Sequence, residues 1–154
     1  MVRSGETKML VGQYESFVTE KGRVAVPKKY RETVGTQLIV SRWYENCLVL
    51  VSKTEFNSLL SKVGFNAKYA TKPVRDTDRF ILSSAFEVDL DKQGRFVVPK
   101  ILRDFAHLTT EVVFLGLGDR IEIWDRKSWL TKETEIAKEA ENILEASVVN
   151  RQNE

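Results

Sequence analysis

The sequence predicts an α+β fold that is mainly β: one pseudo-symmetric β barrel built from two repeats, with peripheral helices and a helix at the C-terminal end. Three observations predict it. First, a short phrase is written twice. Gly22-Arg23-Val24-Ala25-Val26-Pro27 recurs 72 residues later as Gly94-Arg95-Phe96-Val97-Val98-Pro99, and the agreement extends to Lys28 with Lys100 and Arg31 with Arg103. Second, a segment of alternating polarity precedes each phrase, and two apolar runs and a helix start follow it. Third, each half is short. Repetition at a fixed offset marks a duplicated structural unit, and a strand-rich half of about 45 residues buries too little surface to stand alone. The two halves are therefore expected to complete one shared core. Interleaving of their strands is compatible with this, although periodicity is silent on it.

The elements follow in order. Tyr14, Ser16 and Val18 in the first copy, and Phe86, Val88 and Leu90 in the second, alternate as a strand does. Gly22 and Gly94 then centre a turn, where glycine accepts positive φ. Short apolar strands, residues 24–26 and 96–98, run to Pro27 and Pro99, which lack an N–H and so close a strand or open a helix. Short helices are expected over 28–34 and 100–106. Two more strands follow in each copy, 38–40 and 48–51, then 112–115 and 121–124, the latter pair joined by the turn signal Gly116-Leu117-Gly118-Asp119. Ser52 and Glu55 read as a capping box for a helix carrying Phe56, Leu59, Leu60 and Val63. Asp125 caps the equivalent helix, which carries Trp129 and runs to about Ser147 with Leu130, Ala137, Ala140, Ile143 and Leu144 on one face, a core or subunit-packing stripe. A linking helix is expected over 73–84, with Phe80, Ile81 and Ala85 on its apolar side. The organisation is repeat one 13–56, linking segment 57–84, repeat two 85–128 and C-terminal helix 129–147.

Composition is that of an ordinary globular chain of 154 residues, 42% hydrophobic and 30% charged. No run approaches the roughly 18 apolar residues of a transmembrane helix, and the opening residues 1–8 lack the apolar centre of a signal peptide. The single cysteine, Cys47, lies in an apolar run and reads as a buried thiol rather than a reactive one. A cytoplasmic location and no membrane partner are expected.

Net charge is only +2, but it is unevenly placed. Residues 19–31 carry Lys21, Arg23, Lys28, Lys29 and Arg31 against Glu20, a net of +4; residues 91–103 carry Lys92, Arg95, Lys100 and Arg103 against Asp91, a net of +3; the remainder is −5. Positive charge is thus concentrated on the repeated phrase, an electrostatic footprint for a polyanion. Solvated loop charge is the alternative, and two clusters at equivalent positions weigh against it.

The two phrases, with Thr19-Glu20-Lys21 and Asp91-Lys92-Gln93 before them and Gly118-Asp119-Arg120-Ile121-Glu122-Ile123-Trp124-Asp125 as a third mark, resemble the MraZ family of bacterial transcriptional regulators, and each unit resembles a SpoVT/AbrB domain. The likeness runs from about residue 10 into the C-terminal helix; residues 1–10 extend beyond the usual start and are given no role. The resemblance implies a double-psi-type barrel of two swapped-hairpin halves, a ring-shaped homo-oligomer, and binding to short direct repeats in double-stranded promoter DNA upstream of division and cell-wall genes, in the nucleoid. It also implies a DNA-contacting motif of aspartate followed four residues later by arginine. Asp91 and Arg95 match it. In the first copy Arg23 is kept but Thr19 replaces the aspartate, and its hydroxyl can still accept a hydrogen bond across the turn.

The chemistry suits DNA. Arginine presents a permanent charge and a planar fork that pairs with phosphate or with the O6/N7 edge of guanine. Arg23 and Arg95 are the principal candidates. Lys21 and Lys92 are read as phosphate contacts, which position without reading sequence. Asp91 is expected to hold the turn or Arg95. Lys28, Arg31, Lys100 and Arg103 complete the candidate set, with the alternative that Arg31 and Arg103 complement a helix dipole. For Arg23 and Arg95 the alternative is an internal salt bridge inside the barrel.

An enzyme is the first rival. Against it, His107 is the only histidine, no Cys/His cluster has metal spacing, and Gly116-x-Gly118 lacks the rest of a dinucleotide loop. Asp89 and Asp91 flank a basic turn and read as structural. Neither metal, cofactor nor small-molecule substrate is expected. The second rival is a ring-forming protein-interaction scaffold without specific DNA binding, with Trp43, Tyr44 and Trp124 as interface aromatics.

Overall fold

The computed structural model describes residues 9–64 and 71–152, the last four by backbone only. The start of the chain and residues 65–70 of the expected linking segment lie outside the described residues. The order is β1 (Leu10–Phe17), β2 (Arg23–Ala25), α1 (Lys28–Val34), β3 (Gln37–Arg42), β4 (Leu48–Ser52), α2 (Phe56–Lys62), α3 (Lys72–Leu82), β5 (Phe86–Asp89), β6 (Arg95–Val97), α4 (Lys100–Phe105), β7 (Glu111–Gly118), β8 (Ile121–Asp125) and α5 (Arg126–Gln152). With α5 spanning 27 residues, helix outweighs strand and the fold is a mixed α+β one.

The repeats interleave. The main sheet is antiparallel in the order β1-β7-β8-β4-β3-β5. The first strand of each repeat pairs with the third strand of the other: β1 with β7 and β5 with β3. The second strands pair with one another as a separate two-stranded ribbon. The ladder is open rather than the closed barrel expected. Its edges are β1 and β5, and the tight turns at Thr19 and Asp91 fold β2 and β6 away from those edges, so that the ribbon packs on the sheet instead of closing it.

Both faces of the sheet are covered, which explains why its strands read as continuous apolar runs. Leu38, Val40, Leu48, Leu50, Val112, Phe114, Ile121 and Ile123 face a core completed by Val24, Val26, Tyr30, Phe96, Val98 and Leu102 from the ribbon, α1 and α4. The alternate residues Ile39, Val49, Val51, Val113, Leu115 and Trp124 face a second core completed by Phe56, Leu59, Leu60 and Ile81 from α2 and α3. Residues of both repeats share each core.

Local chemistry sets the boundaries, with two departures from expectation. Asp125 caps α5, its Oδ2 accepting from Ser128 N at 3.0 Å and from Ser128 Oγ at 2.8 Å. His107, at φ 56, sits in the left-handed region just past α4. Ser52 makes no cap bond: residues Lys53–Glu55 form a 3-10 turn first, and the Ser52 hydroxyl turns to Thr54. The α5 stripe does not enter the core. Leu130, Ala137, Ile143 and Leu144 are exposed and Ala140 is half-buried, while Arg126, Trp129 and Glu133 in the first turns bond the edge strand β1 through Glu15 and Gln13.

Candidate nucleic-acid interface

The two turns are closed by the same backbone bonds. Gly22 N–H donates to Thr19 O and Thr19 N–H to Arg23 O; Gly94 N–H donates to Asp91 O and Asp91 N–H to Arg95 O, all at 2.9 Å. Both glycines have positive φ, 81° and 76°. The turns also lock to one another. Val26 N–H donates to Gly94 O and Val98 N–H to Gly22 O, each at 2.9 Å. The tips of the two repeats are therefore opposite ends of one braced unit.

The ribbon decides which way the arginines face. Arg23 lies opposite Val97 and Ala25 opposite Arg95, with Val24 and Phe96 between them. Val24 and Phe96 are buried, so alternation places Arg23, Ala25, Arg95 and Val97 on the outer face. Arg23 and Arg95 are diagonal neighbours there, about 7–8 Å apart along the backbone. Neither enters the core, and the ion pair that Arg95 makes, with Asp91, lies at the surface.

What holds the two arginines differs. Asp91 Oδ1 accepts from Gln93 N and Arg95 N at 2.9 Å each, and Oδ2 accepts from Arg95 Nε at 3.0 Å. The Arg95 N–H above all, with the Arg95 guanidinium and the Gln93 N–H, holds the Asp91 carboxyl below the usual carboxylate range. Thr19 Oγ1 reproduces only the backbone part, accepting from Arg23 N at 3.1 Å. Among the described residues the Arg23 guanidinium has no ion pair or hydrogen bond.

Two copies of an arginine-bearing ribbon turn in one chain make a specific signature, and comparison with known proteins identifies it. The family model described as "MraZ protein, putative antitoxin-like" matches twice, over residues 9–80 and 81–151. The chain belongs to the MraZ family. A transcriptional regulator MraZ of Acetivibrio thermocellus is 36% identical over 137 residues, covering 89% of this chain and 95% of that protein. The transcriptional regulators MraZ of Caldanaerobacter subterraneus subsp. tengcongensis (36% identical; 85% and 92% covered) and Bifidobacterium longum (36% identical; 82% and 83% covered) are similar over most of their length.

In this MraZ member the remaining candidates fall into two groups. Lys21, Lys92, Lys28 and Lys100 are exposed around the ribbon. Lys100 is engaged by Asp104 at 2.6 Å, while Lys28 lines an open cleft of about 760 Å³ with Tyr14, Ala25, Pro27, Lys29 and Arg31. Arg31 and Arg103 do something else. Arg103 lies across Gly22 and donates from Nε to Val98 O at 3.0 Å; Arg31 lies across Gly94, with its Nε buried and unpaired. Each reaches over to the other repeat's turn. Lys29 was missed as a candidate although it is exposed beside Lys28. Its counterpart in the second copy is Ile101, so the repeat comparison that found the other cations passes over it.

The other chemistry-bearing groups serve the fold. Cys47 is fully buried, and burial, with the Glu122 carboxylate nearby, pushes its thiol far up from its ordinary range. Glu122 accepts from Arg120 Nε at 3.1 Å and from Trp124 Nε1 at 3.0 Å. Among the described residues no group of His, Cys, Asp and Glu could hold a metal ion, and no helix is long and apolar enough to cross a membrane.

Proposed function

We propose that the chain is a sequence-specific DNA-binding transcriptional regulator that acts as a homo-oligomer, a ring, on short direct repeats in the promoter of the division and cell-wall gene cluster containing its own gene. The observation that carries this reading is the outward face of the β2–β6 ribbon, which presents Arg23 and Arg95 side by side. The B-DNA major groove admits a two-stranded ribbon, and an arginine fork matches a guanine edge or a phosphate. Lys21, Lys92, Lys28 and Lys100 surround that face and suit the DNA backbone. Arg31 and Arg103 are assigned to bracing the turns. The regulators to which the chain is similar carry a name that is not an enzyme class. A cytoplasmic, nucleoid-associated location follows from this reading.

One protomer offers few contacts, and repeated subunits on repeated half-sites multiply them through effective concentration. The exposed apolar residues of α5 (Leu130, Ile136, Ile143, Leu144) supply a face for assembly. That same stripe favours the second reading, an interaction scaffold without specific DNA binding. A gel shift with DNA from upstream of the gene, at two salt concentrations, separates the two. Counterion release makes DNA binding fall steeply as salt rises. Retained affinity after Arg23→Ala and Arg95→Ala together would move DNA binding away from the ribbon, and no salt-sensitive shift by the unaltered chain would leave the scaffold reading in place.

A further inference from the structure

We propose that the two tips divide recognition between them: Arg95, clamped by Asp91, reads a base edge, and Arg23, left unclamped by Thr19, grips a phosphate. This rests on the DNA-binding reading above. The tips share the same turn, the same inter-strand register and the same glycine conformation. They differ at the three positions before the glycine, Thr19-Glu20-Lys21 against Asp91-Lys92-Gln93, and of these six residues only Asp91 bonds the guanidinium of its arginine.

That difference has chemical consequences. The bond from Arg95 Nε to Asp91 Oδ2, 3.0 Å long, fixes the plane of the guanidinium and leaves its Nη end free. A guanine edge demands such a fixed bidentate approach. The adjoining carboxylate offsets the Arg95 charge and would repel a phosphate at the same spot. Arg23 has the opposite properties. Its charge has no carboxylate against it among the described residues, and all its guanidinium donors are available. A phosphate rewards charge and tolerates a range of approach directions. The residues across the ribbon agree. Arg95 faces Ala25, whose small side chain leaves room for a base edge to come close; Arg23 faces Val97, which is bulkier and half exposed.

The test measures equilibrium binding of the full-length chain to a duplex from upstream of its gene and to a scrambled duplex of equal composition, over a salt series. Melting curves and oligomer mass verify each variant. Arg95→Ala and Arg95→Lys should both reduce the preference for the cognate duplex roughly ten- to hundredfold, since lysine keeps the charge but loses the fork. Arg23→Ala should weaken both duplexes by the same factor and flatten the salt slope by about one per engaged tip. Arg23→Lys should keep most of the affinity for both. Thr19→Asp, which supplies the missing clamp, should flatten the slope as Arg23→Ala does. If Arg23→Lys costs as much preference as Arg95→Lys, the division is overturned and DNA reading by both tips stands. If the wild-type chain prefers neither duplex, this proposal and the DNA-binding reading fall together.

Discussion

Arg103 of the second repeat lies across the backbone of Gly22 in the first, so close that a methyl group on Gly22 would stand 2.8 Å from its Cζ. Arg31 does the same to Gly94. Each turn therefore needs glycine for its positive φ, and a methyl group there would also displace the guanidinium that covers it. Gly22→Ala should cost about 1–2 kcal/mol from the left-handed backbone alone, a melting-temperature drop of roughly 2–8 °C for a chain of this size. It should also push Arg103 off the Val98 carbonyl. Arg103→Ala loses that same contact, so the double variant should lose less stability than the two single losses added together. Simple additivity in thermal melts would mean that the covering arginine contributes nothing.

This cross-repeat brace shows what the sequence could and could not reveal. The duplicated phrase marked the turns, the ribbon strands and the short helices after each proline, because glycine, proline and alternation act locally. The pairing of β1 with β7 links residues about a hundred positions apart, such as Tyr14 and Phe114, and no local signal encodes it. Arg31 and Arg103 read either as further DNA cations or as charges complementing a helix end, and their place across the other repeat's glycine has no local signal, because charge on a helix looks the same whether it faces solvent or a neighbouring turn. Ser52 failed as a cap because the strand-to-helix junction takes a 3-10 turn first. The α5 stripe was periodic, and periodicity alone does not say what covers a face.

The Asp91 clamp carries a pH signature. Its carboxyl titrates below the usual range because the charged form is hydrogen-bonded. A depressed native pKa contributes stability that is present above the unfolded value of about 3.9 and is lost as pH falls through the native value. Carboxyl chemical shifts should place the Asp91 midpoint below that of exposed aspartates, and Arg95→Ala should move it up. A midpoint at the ordinary aspartate value would mean that the clamp is absent in solution.

At the alkaline end Tyr30 is the group that links stability to pH. Its ring is buried against Tyr14, its hydroxyl donates to Gly12 O at 2.5 Å, and burial, reinforced by Tyr14, pushes it up to about 12. The raised value favours the neutral form in the fold, so its contribution is intact below about pH 10, the unfolded value, and is lost as pH rises toward 12. Tyr30→Phe should cost about 1 kcal/mol at neutral pH, from the missing hydrogen bond. It should also flatten the alkaline loss of stability in denaturant titrations. An unchanged alkaline slope would show that other tyrosines set it.

The long helix tests the assembly. Asp125 anchors its start, yet Ile143 and Leu144 stand 57% and 67% exposed in its C-terminal half. Glutamine has nearly the helix propensity of leucine, so Ile143→Gln and Leu144→Gln together should leave helix content and protomer melting almost unchanged. If this stripe joins subunits, sedimentation should show a smaller particle at micromolar concentration. Affinity for a duplex with several direct repeats should then fall far more than affinity for one with a single repeat, because linkage between sites is lost while each tip is untouched. An unchanged particle mass would move the subunit contact away from α5, leaving the exposed edges of β1 and β5 as the surfaces to mutate next.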